Sequence, residues 1–193
     1  MRRRPLTTTE WCYRLDASNI ITGVGPGWDE FARENGGTGA VADRVVGRHL
    51  LDFVAGRPAR QLMLRLLEAV RSAGAPVRVP FRCDSPDQRR YMAWNGVAEE
   101  GGGVRIVTRL LDEEARSTVD LLRTARARRG APVTVCSWCK RIRGPDGAWL
   151  DAEVAIERLA LFMDLRVPAL THGICPTCSE RILDEHHRSA AHD

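Results

Sequence analysis

Cys136-Ser137-Trp138-Cys139 and Cys175-Pro176-Thr177-Cys178 are two Cys-x-x-Cys pairs, separated by the 35 residues from 140 to 174. Four thiolates can surround one Zn²⁺ as a tetrahedron, each sulfur about 2.3 Å from the ion, and a two-residue spacer lets both sulfurs of a pair face one point. The gap is longer than in short zinc fingers, so folded structure has to fill it. Gly144-Pro145-Asp146-Gly147 reads as a turn between two short strands. Asp151 is placed to cap a helix carrying Val154, Ile156, Leu159, Ala160 and Met163. Leu170-Thr171-His172-Gly173-Ile174 returns the chain, and a final helix through Glu180, Arg181, Ile182, Leu183 and Glu185 begins at the second pair. A helix N-terminus favours thiolate there. The expectation is structural zinc held by Cys136, Cys139, Cys175 and Cys178, in a module over 132–188. A metal-free redox pair and plain reduced thiols are the alternatives. Four protein ligands leave no position for a bound water, which argues against catalytic zinc. His172 stands as a substitute ligand, as a hydrogen-bond donor to one, or as a surface loop residue.

Upstream of this module, residues 112–131 change character. Asp112 to Arg129 has no Gly or Pro, and Leu111, Ala115, Val119 and Leu122 recur at spacings of three and four. With acids at its start and arginines at its end, the segment reads as a connecting helix whose apolar stripe suits a homodimer seam. From Arg116 to Arg143 there are eight basic residues and one acid, Asp120. Such a basic stripe beside a zinc module is a phosphate-contacting surface in one reading and a solvated linker in the other.

Residues 10–111 mix strand and helix signals. Trp11 to Leu15 and Ile20 to Val24 flank Asp16-Ala17-Ser18-Asn19, a hairpin signal. A short helix follows through Trp28, Phe31 and Ala32. A longer one runs from about Pro58 to Ser72, with Ala59, Leu62, Met63, Leu66, Leu67 and Val70 on one stripe. Val77, Val79 and Phe81 alternate with Arg78, Pro80 and Arg82 as in a half-buried strand, and Arg90 to Ala98 and Val104 to Leu111 complete three strands. Cys12 and Cys83 lie on strands without ligand spacing and read as small apolar residues.

With 193 residues, 44% of them hydrophobic, the chain can bury a core, and its net charge of +4 does not demand nucleic acid. The basic start, Met1-Arg2-Arg3-Arg4-Pro5, is not followed by an apolar run, and no apolar stretch approaches the roughly 20 residues of a membrane span. A cytoplasmic protein that does not enter the membrane is expected. In that compartment six cysteines point to metal or redox chemistry rather than disulfides.

The order of elements from Trp11 to Leu111, with Tyr13-Arg14-Leu15-Asp16, the Trp28-Asp29-Glu30-Phe31-Ala32 helix and Val46-Gly47-Arg48, resembles a PAS domain. That resemblance implies an α+β fold: a five-stranded antiparallel sheet with helices over one face, often holding a small ligand and often dimerising. His49 stands near a position from which some PAS relatives ligate haem, and a residue at a helix start explains it as well. The stretches Cys136 to Arg143, Asp146-Gly147-Ala148-Trp149 and Thr171 to Cys178 resemble a bacterial cysteine-rich module that follows PAS or receiver domains. Its knuckle, hairpin and ligand-bearing helix start resemble a treble-clef zinc fold. Together these imply a signalling setting.

The functional expectation is a sensory protein. Its PAS-like part binds a small ligand or a protein partner, in a pocket lined by Trp28, Phe31, Phe53, Phe81 and Trp94. The same aromatics filling a ligand-free core is the competing reading. A nucleic-acid-binding regulator and a thiol–zinc redox sensor are the alternative functions. No nucleophile–base set or open metal position emerges, so no enzyme is expected.

Overall fold

The computed structural model describes residues 9–122, 132–159, 161 and 168–190. The α+β class and the five-stranded antiparallel sheet read from the sequence are present. Strands β1 (Glu10–Leu15), β2 (Ile21–Val24), β3 (Val77–Arg82), β4 (Gln88–Ala98) and β5 (Val104–Ala115) lie in the order β2-β1-β5-β4-β3. Helices α1 (Trp28–Glu34), α2 (Ala42–Val45) and α3 (Arg57–Ser72) connect β2 to β3.

Local chemistry accounts for the entry to this sheet. Asp16 Oδ1 accepts from the N–H groups of Ser18 and Ile20, both at 2.9 Å, and Asn19 takes a left-handed φ of 63°. Asparagine tolerates that region, so the pair closes the β1–β2 turn. The apolar stripe of α3 is buried as its spacing requires: Leu66, Leu67 and Val70 are at most 1% exposed. They share one core with Val77, Val79, Trp94, Val104 and Ile106 of the sheet. Gly96 is needed there, because a Cβ would run into Trp94 and Val70.

The connecting helix expected over 112–131 is not what the described residues form. Asp112 to Ala115 continue β5, paired with Tyr91 down to Gln88 of β4. Val119 and Leu121 are buried at 3% and 1%, inside a second core with Val135, Ile142, Ala152 and Ala155. Of the residues at three-and-four spacing, Val119 is buried within the chain, whereas Leu111 and Ala115 are exposed on β5. A strand ladder with Arg90–Glu113 as a cross-strand ion pair outweighs helix propensity here. Val119 therefore offers no dimer seam, and Leu111, 48% exposed, lies on a strand. Residues 123–131 lie outside the described ones.

The C-terminal unit follows its sequence signals more closely. A second sheet has the order β8-β7-β6-β9, from β6 (Val133–Cys136), β7 (Ile142–Arg143), β8 (Trp149–Leu150) and β9 (Leu170–Gly173). Helix α4 (Ala152–Arg158) sits between β8 and β9, and α5 (Pro176–Ala190) begins at the second cysteine pair. The buried face of α4 is Ala152 and Ala155, whereas Val154 is exposed. Ala160 and Met163 lie outside the described residues.

Candidate metal centre and cleft

The two cysteine pairs meet. The Sγ atoms of Cys136, Cys139, Cys175 and Cys178 all lie within 4.8 Å of one another, and among the described residues they are the group so placed to hold a metal. Cys136 ends β6, Cys139 closes the knuckle, and Cys175 and Cys178 flank and enter the first turn of α5. Parallel pairing of β6 with β9 puts Cys136 opposite Gly173, two residues before Cys175. Lys140 holds a left-handed φ of 63°, which turns the chain back after Cys139, and its N–H donates to the Cys136 carbonyl at 3.0 Å.

The site suits a tetrahedral thiophilic ion. Sulfurs about 2.3 Å from a centre stand about 3.8 Å apart along a tetrahedron edge, and Cys139 Sγ lies 3.7 Å from Cys175 Sγ. Hydrogen bonds from the Cys139 and Cys178 thiols favour thiolate at Cys136 and hold its pKa far below the ordinary thiol value. The same bonds favour the thiol on the other side, pushing Cys139 up to about 11 and Cys178 up further. A cation takes the place of those shared protons, so uptake releases protons and weakens as pH falls.

The surroundings balance the charge such a centre carries. Asp84, its side chain fully buried, pairs with Arg82 and with Arg116 Nη1 at 3.2 Å. Glu153 pairs with Arg116 at 3.3 Å and with Arg89 at 2.8 Å, and Asp151 with Arg82 at 3.3 Å and Arg141 at 3.8 Å. Burial works against ionised Glu153, but its backbone and the two arginines outweigh it and lower its pKa. Arg181 Nη2 reaches Cys178 Sγ at 3.9 Å. Five guanidinium groups face three carboxylates, leaving two positive charges, which offset the two negative charges of a divalent ion with four thiolates. Arg116 is committed to this network, its side chain 5% exposed, so it is unavailable as part of a phosphate-binding stripe. Arg123, Arg126, Arg128 and Arg129 lie outside the described residues.

This network also joins the two units. Trp138, between Cys136 and Cys139, donates its indole N–H to the Pro80 carbonyl at 2.8 Å, and its carbonyl accepts from Arg82 N at 2.8 Å. Cys136, Trp138, Cys175, Cys178 and Ile182 belong to the same core as α3 and the first sheet. Gly56, at φ 84°, passes so close to β9 that a Cβ would collide with the His172 carbonyl.

Between the units lies a cleft of about 390 Å³. Phe53, Ala59 and Met63 form its helical side, and Tyr13, Phe81 and Trp94 its sheet side. Ser137, Trp138, Lys140 and His172 close it from the C-terminal unit. Burial pushes the Tyr13 hydroxyl up to about 12, partly offset by the hydrogen bond from Trp94 Nε1 at 3.4 Å. Cys83 also lines the cleft, its thiol pKa raised by burial.

Of the five aromatics expected to line a pocket, Phe53, Phe81 and Trp94 do so. Trp28 instead packs edge-on against Tyr13 at 5.7 Å and donates to the Ala40 carbonyl at 2.7 Å. Phe31 stacks on Trp11 at 4.1 Å. Neither ring lines the cleft; both pack on aromatic side chains of β1 instead. His49 Nδ1 accepts from Leu51 N at 3.1 Å, capping the 3₁₀ turn at 50–53. His172 stands outside the four-sulfur group. Sequence reasoning missed Ser137, Trp138 and Lys140 as cleft residues; their place between and beside two ligands was the available signal.

No family model and no curated protein sequence matches the chain. Among solved structures it is similar to a domain of an HTR-like protein from Haloarcula marismortui, at 19% identity, 53% of this chain, 98% of that one and a TM-score of 0.36. It is also similar to a domain of a sensory box sensor histidine kinase/response regulator from Geobacter sulfurreducens, at 15% identity, 52% of this chain, 82% of that one and a TM-score of 0.35.

Proposed function

We propose that the chain is a cytoplasmic sensory protein without turnover, in which a PAS-like domain binds a small molecule and a structural Zn²⁺ module passes its state to a protein partner. The observation that carries this reading is the cleft, whose 390 Å³ falls within the roughly 300–1,000 Å³ of small-molecule sites. Its walls are mostly aromatic and aliphatic, with a few polar groups to orient a ligand. Zinc is supported by the sulfur spacing and the balanced charge around it. A closed shell of four protein ligands suits structure rather than catalysis. No helix of the described residues is long and apolar enough to cross a membrane.

Native mass spectrometry of protein purified without chelator tests this. One zinc per chain is expected, with a small molecule retained or a metabolite that raises the melting temperature. A ligand at 100 times its dissociation constant adds about 2.7 kcal/mol. Less than half a zinc per chain removes the metal reading. Conversion of a bound molecule to a product removes the claim of no turnover.

A further inference from the structure

We infer that the cleft takes a flat apolar molecule bearing one acidic group, and that its occupancy is linked to that of the metal site. This rests on the ligand-binding reading above. The class follows from what lines the two ends. Phe53, Phe81 and Trp94 present ring surface, which suits a planar apolar body. At the C-terminal end stand Lys140 and Ser137. The Lys140 ammonium donates to the Ser137 carbonyl at 2.8 Å, and no carboxylate of the described residues forms an ion pair with it. Ser137 Oγ is buried and has no hydrogen-bond partner among the described residues. The Lys140 ammonium, with no carboxylate partner among the described residues, is the group an oxyanion in the cleft would pair with. The arginine–carboxylate network is already balanced by a dianionic metal centre, so Lys140 supplies one positive charge in excess on the cleft side.

The linkage follows from chain geometry. Ser137 and Trp138 lie between the ligands Cys136 and Cys139, and Lys140 is next after Cys139. Whatever holds the four sulfurs together holds this wall of the cleft. A molecule that binds only the closed wall therefore tightens the metal, and the metal tightens it by the same factor. The second arginine-rich recess, lined by Arg82, Arg89, Arg141 and Arg181 beside Cys139, is not the better anion site, because its charge is spent on the thiolates and on Asp151 and Glu153.

The test uses the full zinc-loaded chain with 1-naphthaleneacetate and its neutral amide, followed by tryptophan fluorescence and calorimetry. The acid should bind about tenfold tighter than the amide, the worth of one charge-assisted bond. In Lys140→Met, with zinc content and melting checked alongside, that preference should fall to within about twofold while the amide binds as before. Lys140→Gln replaces it if the methionine variant loses zinc. In the unmodified protein, saturating acid should slow zinc transfer to a chromophoric chelator severalfold. Equal binding of acid and amide, unchanged by either variant, overturns the acidic class and leaves the ligand-binding reading standing. Binding of neither probe overturns the inference; the ligand-binding reading then falls as well only if native mass spectra and thermal-shift screens also show no small molecule. Zinc transfer at one rate with and without bound acid overturns the linkage.

Discussion

Asp84 and Tyr13 show how single residues set the energetics. Asp84 has no exposed side-chain surface and is held by Arg82 and Arg116. Removing one member of a buried set strands the others, typically at about 3–5 kcal/mol. Arg116→Met should therefore lower stability by that order in chemical denaturation, whereas Arg143→Met, on an exposed position, should change it little. Tyr13 gives a pH signature. Its pKa is raised in the fold, so its contribution is fully present below pH about 10 and is lost as pH rises toward about 12. Tyr13→Phe should flatten the alkaline part of the stability curve by on the order of 2 kcal/mol, read from urea midpoints at pH 9 to 11.5.

At the scale of elements, the signals that survived folding were those with a local physical cause. The Asp16–Asn19 turn and the β7–β8 hairpin turn at Gly144 to Gly147 rest on contacts within a few residues, and the α3 stripe carries its own period whatever it packs against. The segment 112–122 was misread because its three-and-four spacing fits a helix, whereas ladder pairing with Gln88 to Tyr91 is a long-range fact. The four-cysteine cluster was legible because its spacing is itself the chemistry. The cleft was only half legible: Phe53, Phe81 and Trp94 were read from the sequence, but Tyr13 and a wall supplied by residues 137–140 depend on how β9 and α3 approach. Gly56 is where that approach is tightest. Gly56→Ala adds both a collision with β9 and a strained φ, and should destabilise by about 1–3 kcal/mol. Gly101→Ala, at φ 70° with open space around it, carries the strain alone and serves as the control.

In the whole molecule the sulfur centre and the first sheet form one unit. The core runs without a break from α3 and β3 through Trp138 to Cys136, Cys175 and Ile182. Structural zinc sites contribute folding energy directly. Loss of the proposed zinc should therefore be felt beyond the C-terminal unit. Hydrogen exchange, compared before and after chelation of the metal, measures this most directly. The amide of Arg82, bonded to the Trp138 carbonyl, and the amides of α3 facing α5 should lose protection together with β6 and β9. Lost protection confined to residues 132–190, with Arg82 and α3 unchanged, would contradict a shared unit.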